Sequence, residues 1–198
     1  DAATLATGGA ITVPTILSVT MTDAPGAAVL AGAGGRNAVM RDMAGGLDGV
    51  FKGRIDQAGE VDIYTFTLAG PTWLYWDTLF DRSDVRARLE GPAGVRIDRA
   101  LNQTGDQGSA ENPVFLAPAG EYRLTFDANG ATKAAYGLRL LALEGAEAIT
   151  TGSVQDGVLD LRRAAKAFTF DAAAGDRVFI DMESLGVAEH AAAWRLFD

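Results

Sequence analysis

Two stretches of the chain carry the same pattern of aromatic, apolar and polar residues. In the first stretch, the sequence aromatic-Thr-Phe begins at Tyr64, and Asp77 ends the next apolar run. In the second stretch, the same sequence begins at Phe168, and Asp181 ends the next apolar run. Both features recur with an offset of 104 (64 to 168, 77 to 181), and an Arg-Leu pair recurs with an offset of 107 (88 to 195). A spacing kept this closely predicts a folding unit that is repeated within the chain.

The repeat divides the chain into three parts. Residues 49–145 hold seven or eight short apolar runs, separated by Gly-Pro and Asn-Gly turn sequences, which predicts one complete antiparallel β-sandwich. The alternating positions along these runs predict seven side chains for its core: Tyr64, Phe66, Leu89, Phe115, Tyr122, Leu124 and Leu138. Residues 146–198 match only the first half of that unit, so we expect a second, similar and incomplete unit. Residues 1–48 begin with β-branched runs and continue with a Gly/Ala-rich tract, for which we expect N-terminal strands and a linker or an arm.

The incomplete second unit indicates either a piece of a longer repeat protein or a unit that other residues complete. Half a sandwich leaves strand edges unpaired and an apolar sheet face uncovered, here with Phe168, Phe170, Val178, Ile180 and Trp194. We expect strand pairing between copies of the chain to close this gap. Within the chain, the β-branched run at residues 16–20 is the best donor of a strand.

Composition limits the partners. The chain has 198 residues, of which 48% are hydrophobic, enough for one complete core and part of another. The formal net charge of −9 disfavours nucleic acid and anionic membranes as partners. No apolar run reaches the roughly 18 residues that a membrane span needs. Because cysteine is absent, disulfides, thiolate catalysis and cysteine metal sites are excluded.

No arrangement of residues in the sequence predicts catalysis. His190 is the only histidine, and neither Ser153 nor Ser184 lies in a Gly-x-Ser-x-Gly elbow. The glycine-rich residues 32–35 imitate a dinucleotide-binding loop, but Asn37 replaces the third glycine and no βαβ unit surrounds them. Nothing places two carboxylates together across a cleft. We therefore expect a protein without catalytic activity.

The apolar run before Asp77 has large side chains on both faces of its predicted strand. Trp73 and Tyr75 share one face, and Leu74 and Trp76 share the other. A central strand covered on both sides explains this pattern. Alternatively, Trp73 and Tyr75 form a platform on which sugar rings or a peptide stack. Trp73 and Tyr75 are thus the candidate ligand-binding residues.

Three aspartates, Asp77, Asp81 and Asp84, lie in and around the loop that follows this strand. Carboxylates a few residues apart on a loop suit calcium, which takes about six to eight oxygen ligands in flexible geometry. The alternative is a solvated acidic loop that pairs with Arg82 and Arg86. Calcium is therefore the candidate metal, with these three aspartates as its ligands.

Four short motifs in residues 49–145 carry a family resemblance. They are Asp-x-Tyr-x-Phe at 62–66, Leu-Glu-Gly-Pro-Ala-Gly at 89–94, Ala-Gly-x-Tyr-x-Leu at 119–124 and Tyr-x-Leu at 136–138. This set resembles the bacterial pre-peptidase C-terminal domain. The second unit departs from the motif, since Ala167 precedes the aromatic residue and no Asp-x-Tyr precedes Phe170.

The resemblance implies a jelly-roll-like β-sandwich of a secreted or cell-surface bacterial protein, without catalysis of its own. The expected function is a repeat module for adhesion, surface-layer or extracellular assembly. Its expected partners are other copies of the chain or neighbouring repeats, and a polysaccharide or protein polymer. The alternative is a substrate-binding accessory module of a secreted hydrolase, with calcium as a structural ion.

Overall fold

A computed structural model describes six stretches of the chain, namely residues 29–31, 37–40, 49–105, 112–156, 164–181 and 194–197. Within these stretches, regular structure consists of β-strands and two short 3-10 helices, Leu101–Gln103 and Leu143–Gly145, with no α-helix. The all-β fold predicted from the alternating apolar pattern is confirmed.

The described stretches contain twelve strands. In chain order they are β1 (Val29–Ala31), β2 (Asn37–Met40), β3 (Val50–Ile55), β4 (Glu60–Leu68), β5 (Thr72–Thr78), β6 (Val85–Gly91), β7 (Gly94–Ala100), β8 (Val114–Ala117), β9 (Gly120–Ala128), β10 (Ala134–Ala142), β11 (Glu147–Ala148) and β12 (Phe168–Thr169). Gly94 and Gly130 both have positive φ, 91° and 61°, where the chain turns between strands.

The eight strands from β3 to β10 have the order of a jelly roll. One sheet has the order β3-β10-β5-β8, and the other contains β4-β9-β6-β7. Successive strands cross between the sheets except at the β6–β7 hairpin, and the last strand returns beside the first, as two Greek keys require. The two sheets pack together, so the predicted jelly-roll β-sandwich is confirmed.

Four strands lie outside this unit, and two of them extend it. β2 pairs in parallel with β4, and β1 pairs antiparallel with β2, so the second sheet has six strands. β11 and β12 pair in parallel as a separate two-stranded sheet. The division into residues 1–48, 49–145 and 146–198 stays a prediction. The proposed donor strand at residues 16–20 lies outside the described residues.

The core lies between the two sheets and is rich in aromatic rings. Phe126 and Tyr136 stack at 4.1 Å between ring centroids, and the Tyr64 ring meets Phe126 edge-on at 5.9 Å. All seven side chains predicted for the core are buried: Tyr64, Phe66, Leu89, Phe115, Tyr122, Leu124 and Leu138. Alternation along the strands thus identified the inward face correctly.

Truncating Phe66 to Ala should destabilise the sandwich by about 3–5 kcal/mol, because it removes a ring that stacks on Tyr122 and leaves a cavity. Urea unfolding measures the loss. Thr65→Ala is the matched control, since the neighbouring Thr65 is exposed. A Phe66→Ala variant as stable as the control would contradict the assignment of this core.

Candidate functional site

The outer face of the four-stranded sheet carries the residues predicted to bind a ligand. Along β5, Leu74 and Trp76 are fully buried in the core, whereas Trp73 and Tyr75 point outward. Trp73 is 43% exposed, and Tyr75 is half-buried. Ligand binding by this pair stays a prediction.

Apolar neighbours flank both aromatic residues on this face. Leu116, on the edge strand β8, lies opposite Trp73 and is 50% exposed. Phe197 meets the Tyr75 ring edge-on at 6.3 Å between ring centroids. The backbone N–H of Trp73 donates to the Glu144 carboxylate at 2.7 Å, which connects the start of β5 to the second 3-10 helix. Trp73 and Leu116 together form an exposed apolar area at the sheet edge.

Asp77 lies on the same outer face but is fully buried. It is opposite Arg139 in the register of β5 and β10. The Arg139 Nε donates to Asp77 Oδ2 at 2.6 Å, and the Arg139 Nη2 is also in contact with that oxygen. The aspartate predicted as a calcium ligand is therefore one half of a cross-strand ion pair.

The main chain of Ala165 completes this arrangement. Its N–H faces both carboxylate oxygens of Asp77, at 3.2 and 3.3 Å, and its carbonyl accepts from Arg139 Nη2 at 2.7 Å. Nearby, Lys166 forms an ion pair with Glu147 at 2.9 Å. The segment that leads to β12 thus lies against the outer face of the four-stranded sheet. Sequence reasoning missed this contact.

The other two predicted calcium ligands occupy the loop after β5. Asp84 forms a two-point ion pair with Arg82, with distances of 2.7 and 2.5 Å, and Asp81 is exposed. The Arg82 contact agrees with the alternative of an arginine-paired loop. Arg86 instead pairs with Asp98 on β7, and its hydrogen bond holds the pKa of Asp98 below the ordinary value.

A calcium ion at this loop would compete with arginines for two of its three ligands. No group of three or more His, Cys, Asp or Glu side chains that could hold a metal occurs in the described parts of the chain. The calcium site stays a prediction, and a calcium ion there would draw Asp84 from Arg82 and Asp77 from Arg139.

The outer face of the six-stranded sheet is charged but balanced. Arg86 and Arg88 line a shallow depression of about 270 Å³ together with Asp98, Thr125 and Asp127. Both arginines form ion pairs with Asp98. Two arginines and two aspartates line the depression, so their formal charges cancel.

A buried polar network connects the two sheets. Tyr136 donates its hydroxyl to Asp62, and the Tyr64 hydroxyl lies 2.9 Å from that of Tyr136 and 3.0 Å from the carbonyl of Lys52. Burial, Tyr64 and Asp62 raise the pKa of Tyr136 far above its ordinary value. A Cβ at Gly53 would lie 2.2 Å from the Tyr136 hydroxyl, so this position requires glycine. The network is enclosed between the sheets, since Asp62, Tyr64 and Tyr136 are all buried.

Several large apolar side chains after the sandwich are exposed. Those predicted to be uncovered, Val178, Ile180 and Trp194, are 39%, 43% and 53% exposed. Phe179 is 87% exposed, and Phe168 and Phe170 are half-buried. This part of the chain therefore presents apolar surface that the described residues do not cover.

The residues weighed for catalysis give no site within the described residues. Ser153 lies in an exposed turn, where its hydroxyl contacts the Thr150 carbonyl at 2.6 Å and the Gln155 side chain at 2.8 Å. His190, Ser184 and the glycine-rich residues 32–35 lie outside the described residues.

Comparison of the chain with protein-family models, with curated proteins and with solved structures found no match. The resemblance to the pre-peptidase C-terminal domain therefore stays a prediction. In the part of the chain that the structure covers, no helix has the length and apolar character to cross a membrane.

Calcium bound only by the folded state should stabilise it by about 2.7 kcal/mol at a hundredfold excess over Kd. Melting temperatures in millimolar calcium and in chelator should then differ by several degrees. Arg82→Ala, which releases Asp84, should enlarge the difference, and magnesium serves as the control ion. Identical melting curves for both proteins would rule out a stabilising calcium site at Asp77, Asp81 and Asp84.

Proposed function

We propose that the chain is a non-catalytic jelly-roll module of a larger secreted or cell-surface bacterial protein, acting in adhesion, surface-layer or extracellular assembly. The observation that carries this proposal is the set of exposed apolar side chains at residues 178–180 and 194–197, next to a sandwich with its own core. Its partners in the proposal are other copies of the chain or neighbouring repeats.

The exposure of these side chains favours contact with another protein surface. Full burial of one side chain of the size of Phe or Leu is worth about 1.5–3 kcal/mol. Phe179 and Trp194 are among the most exposed large apolar residues described, at 87% and 53%. Exposed apolar surface of this kind is typical of sites of protein interaction.

The repeat within the chain indicates which partner would bind this apolar surface. The pattern around Tyr64 recurs around Phe168, so copies of the chain or neighbouring repeats present related β-structure. Edge strand β8 and the two-stranded sheet of β11 and β12 have open edges among the described strands, to which a further strand can add.

The purified chain should therefore self-associate as its concentration rises, as measured by sedimentation. Replacing Phe179 and Trp194 with Ser should shift the protein to monomer, because both apolar contacts are lost. Val95→Ser is the matched control, since Val95 is 47% exposed on the sandwich itself. A wild-type chain that remains a stable monomer at high concentration would contradict the proposal.

A second function is favoured by one specific observation, the exposed indole of Trp73 beside Leu116. In this alternative the sandwich is an accessory module of a secreted hydrolase, and the indole stacks on a polymeric substrate. Aromatic faces on an open sheet suit sugar rings or peptide.

If this second function holds, Trp73→Ala should reduce retention on insoluble polysaccharide or protein polymer by at least about tenfold, the loss of roughly 1.4 kcal/mol. Leu116→Ala is the comparison variant, because it removes an exposed apolar neighbour without an aromatic ring. Equal retention of wild type and Trp73→Ala on every polymer tested would exclude Trp73 as the binding residue.

A further inference from the structure

The ion pair of Asp77 and Arg139 is unusual because it is buried on the outer face of a sheet. Asp77 is fully buried and the Arg139 side chain is only 15% exposed, although both project away from the core. Removing two charges from water carries a penalty that can exceed their attraction, unless further hydrogen bonds satisfy them. The pair therefore needs partners on that face.

The main chain of Ala165 provides such partners in complementary form. The carboxylate accepts from its N–H, and the guanidinium donates to its carbonyl. An adjacent β-strand offers its neighbour the same combination of acceptor and donor. Hydrogen bonds to charged groups are stronger than those between neutral groups, and here they hold both the N–H and the carbonyl of one residue.

We propose that Asp77 and Arg139 form a binding site for main chain, which fixes residues 164–169 on the outer face of the four-stranded sheet. The ligand of this site is an extended segment with small side chains, here supplied by the chain itself. The site sets where the residues after the sandwich are held, and it is separate from the exposed apolar side chains of the proposed assembly function.

The sequence of the bound segment fits a site that binds main-chain atoms. Ala164 is 9% exposed and Ala165 is half-buried, so small side chains lie where the segment meets the sheet. The next residue is larger. Lys166 forms an ion pair with Glu147, and its Nζ lies 4.7 Å from the centroid of the Phe168 ring. The small alanine side chains let the main chain of the segment lie close to the sheet. The contacts of Lys166 with Glu147 and Phe168 fix the path of the segment after them.

The test separates this role from a contribution to the sandwich itself. In the full chain, Asp77→Leu together with Arg139→Met replaces both charges by apolar groups of similar size, so that neither charge is left buried alone. Hydrogen exchange of the Ala165 amide should become at least tenfold faster, and tryptic cleavage after Lys166 should accelerate. Exchange in β4 and β9 should stay as in the wild type.

Two further variants complete the experiment. Ala164→Leu leaves the ion pair intact but obstructs the segment, so it should give the same loss of protection at Ala165. Asp84→Asn is the matched control, because it breaks the Arg82 ion pair on the nearby loop and should leave Ala165 protected.

Two results would overturn the proposal. One is an unchanged exchange rate at Ala165 in the folded double variant, which would show that other contacts hold the segment. The other is faster exchange throughout β4 and β9 in the double variant, which would make the pair a support of the sandwich. Neither result depends on self-association, so the proposed assembly function can fail while this site stands.

Discussion

The insertion of β10 between β3 and β5 is the constraint on which the rest of the structure depends. β10 pairs with both strands, with Leu138 opposite Phe51 on one side and opposite Thr78 on the other. These partners are distant in sequence, so the chain must close long loops before the pairing is formed. Without β10 the four-stranded sheet separates into two parts, and the core side chains of both sheets lose their cover.

The same strand also connects the interior of the sandwich with its outer surface. Tyr136 points inward and donates to the buried Asp62, whereas Arg139 points outward and pairs with Asp77. A buried carboxylate is tolerated only when it is hydrogen-bonded, and the raised pKa of Tyr136, caused chiefly by burial, keeps its hydroxyl protonated as a donor. Correct placement of β10 therefore brings a hydrogen-bond donor to one buried carboxylate on each face of the sheet.

The sequence predicted what depends on local pattern and missed what depends on distant pairing. Alternation identified the core, including Phe66 and Tyr122, and separated the two faces of β5. The Arg82 and Asp84 contact was foreseen because two positions separate these residues. The ion pair of Asp77 with Arg139 was not predicted, because Arg139 is 62 positions away. Alternation identifies Arg139 only as an outward-facing polar residue. Strands β1 and β2 likewise come from a Gly/Ala-rich tract without periodicity.

Two contacts place residues from after the sandwich on one of its outer faces. Ala165 is bound at Asp77, and Phe197 lies against Tyr75, so both contacts are on the outer face of the four-stranded sheet. The opposite outer face carries Arg86, Arg88 and Asp98 in ion pairs that are well solvated. A partner that covered that face would remove these charges from water, which costs free energy. The exposed ion pairs contribute little stability that could offset this cost. If the chain associates, contact on the outer face of the four-stranded sheet, where Trp73 and Leu116 are exposed, releases more free energy, and the segment bound through Ala165 lies on that face.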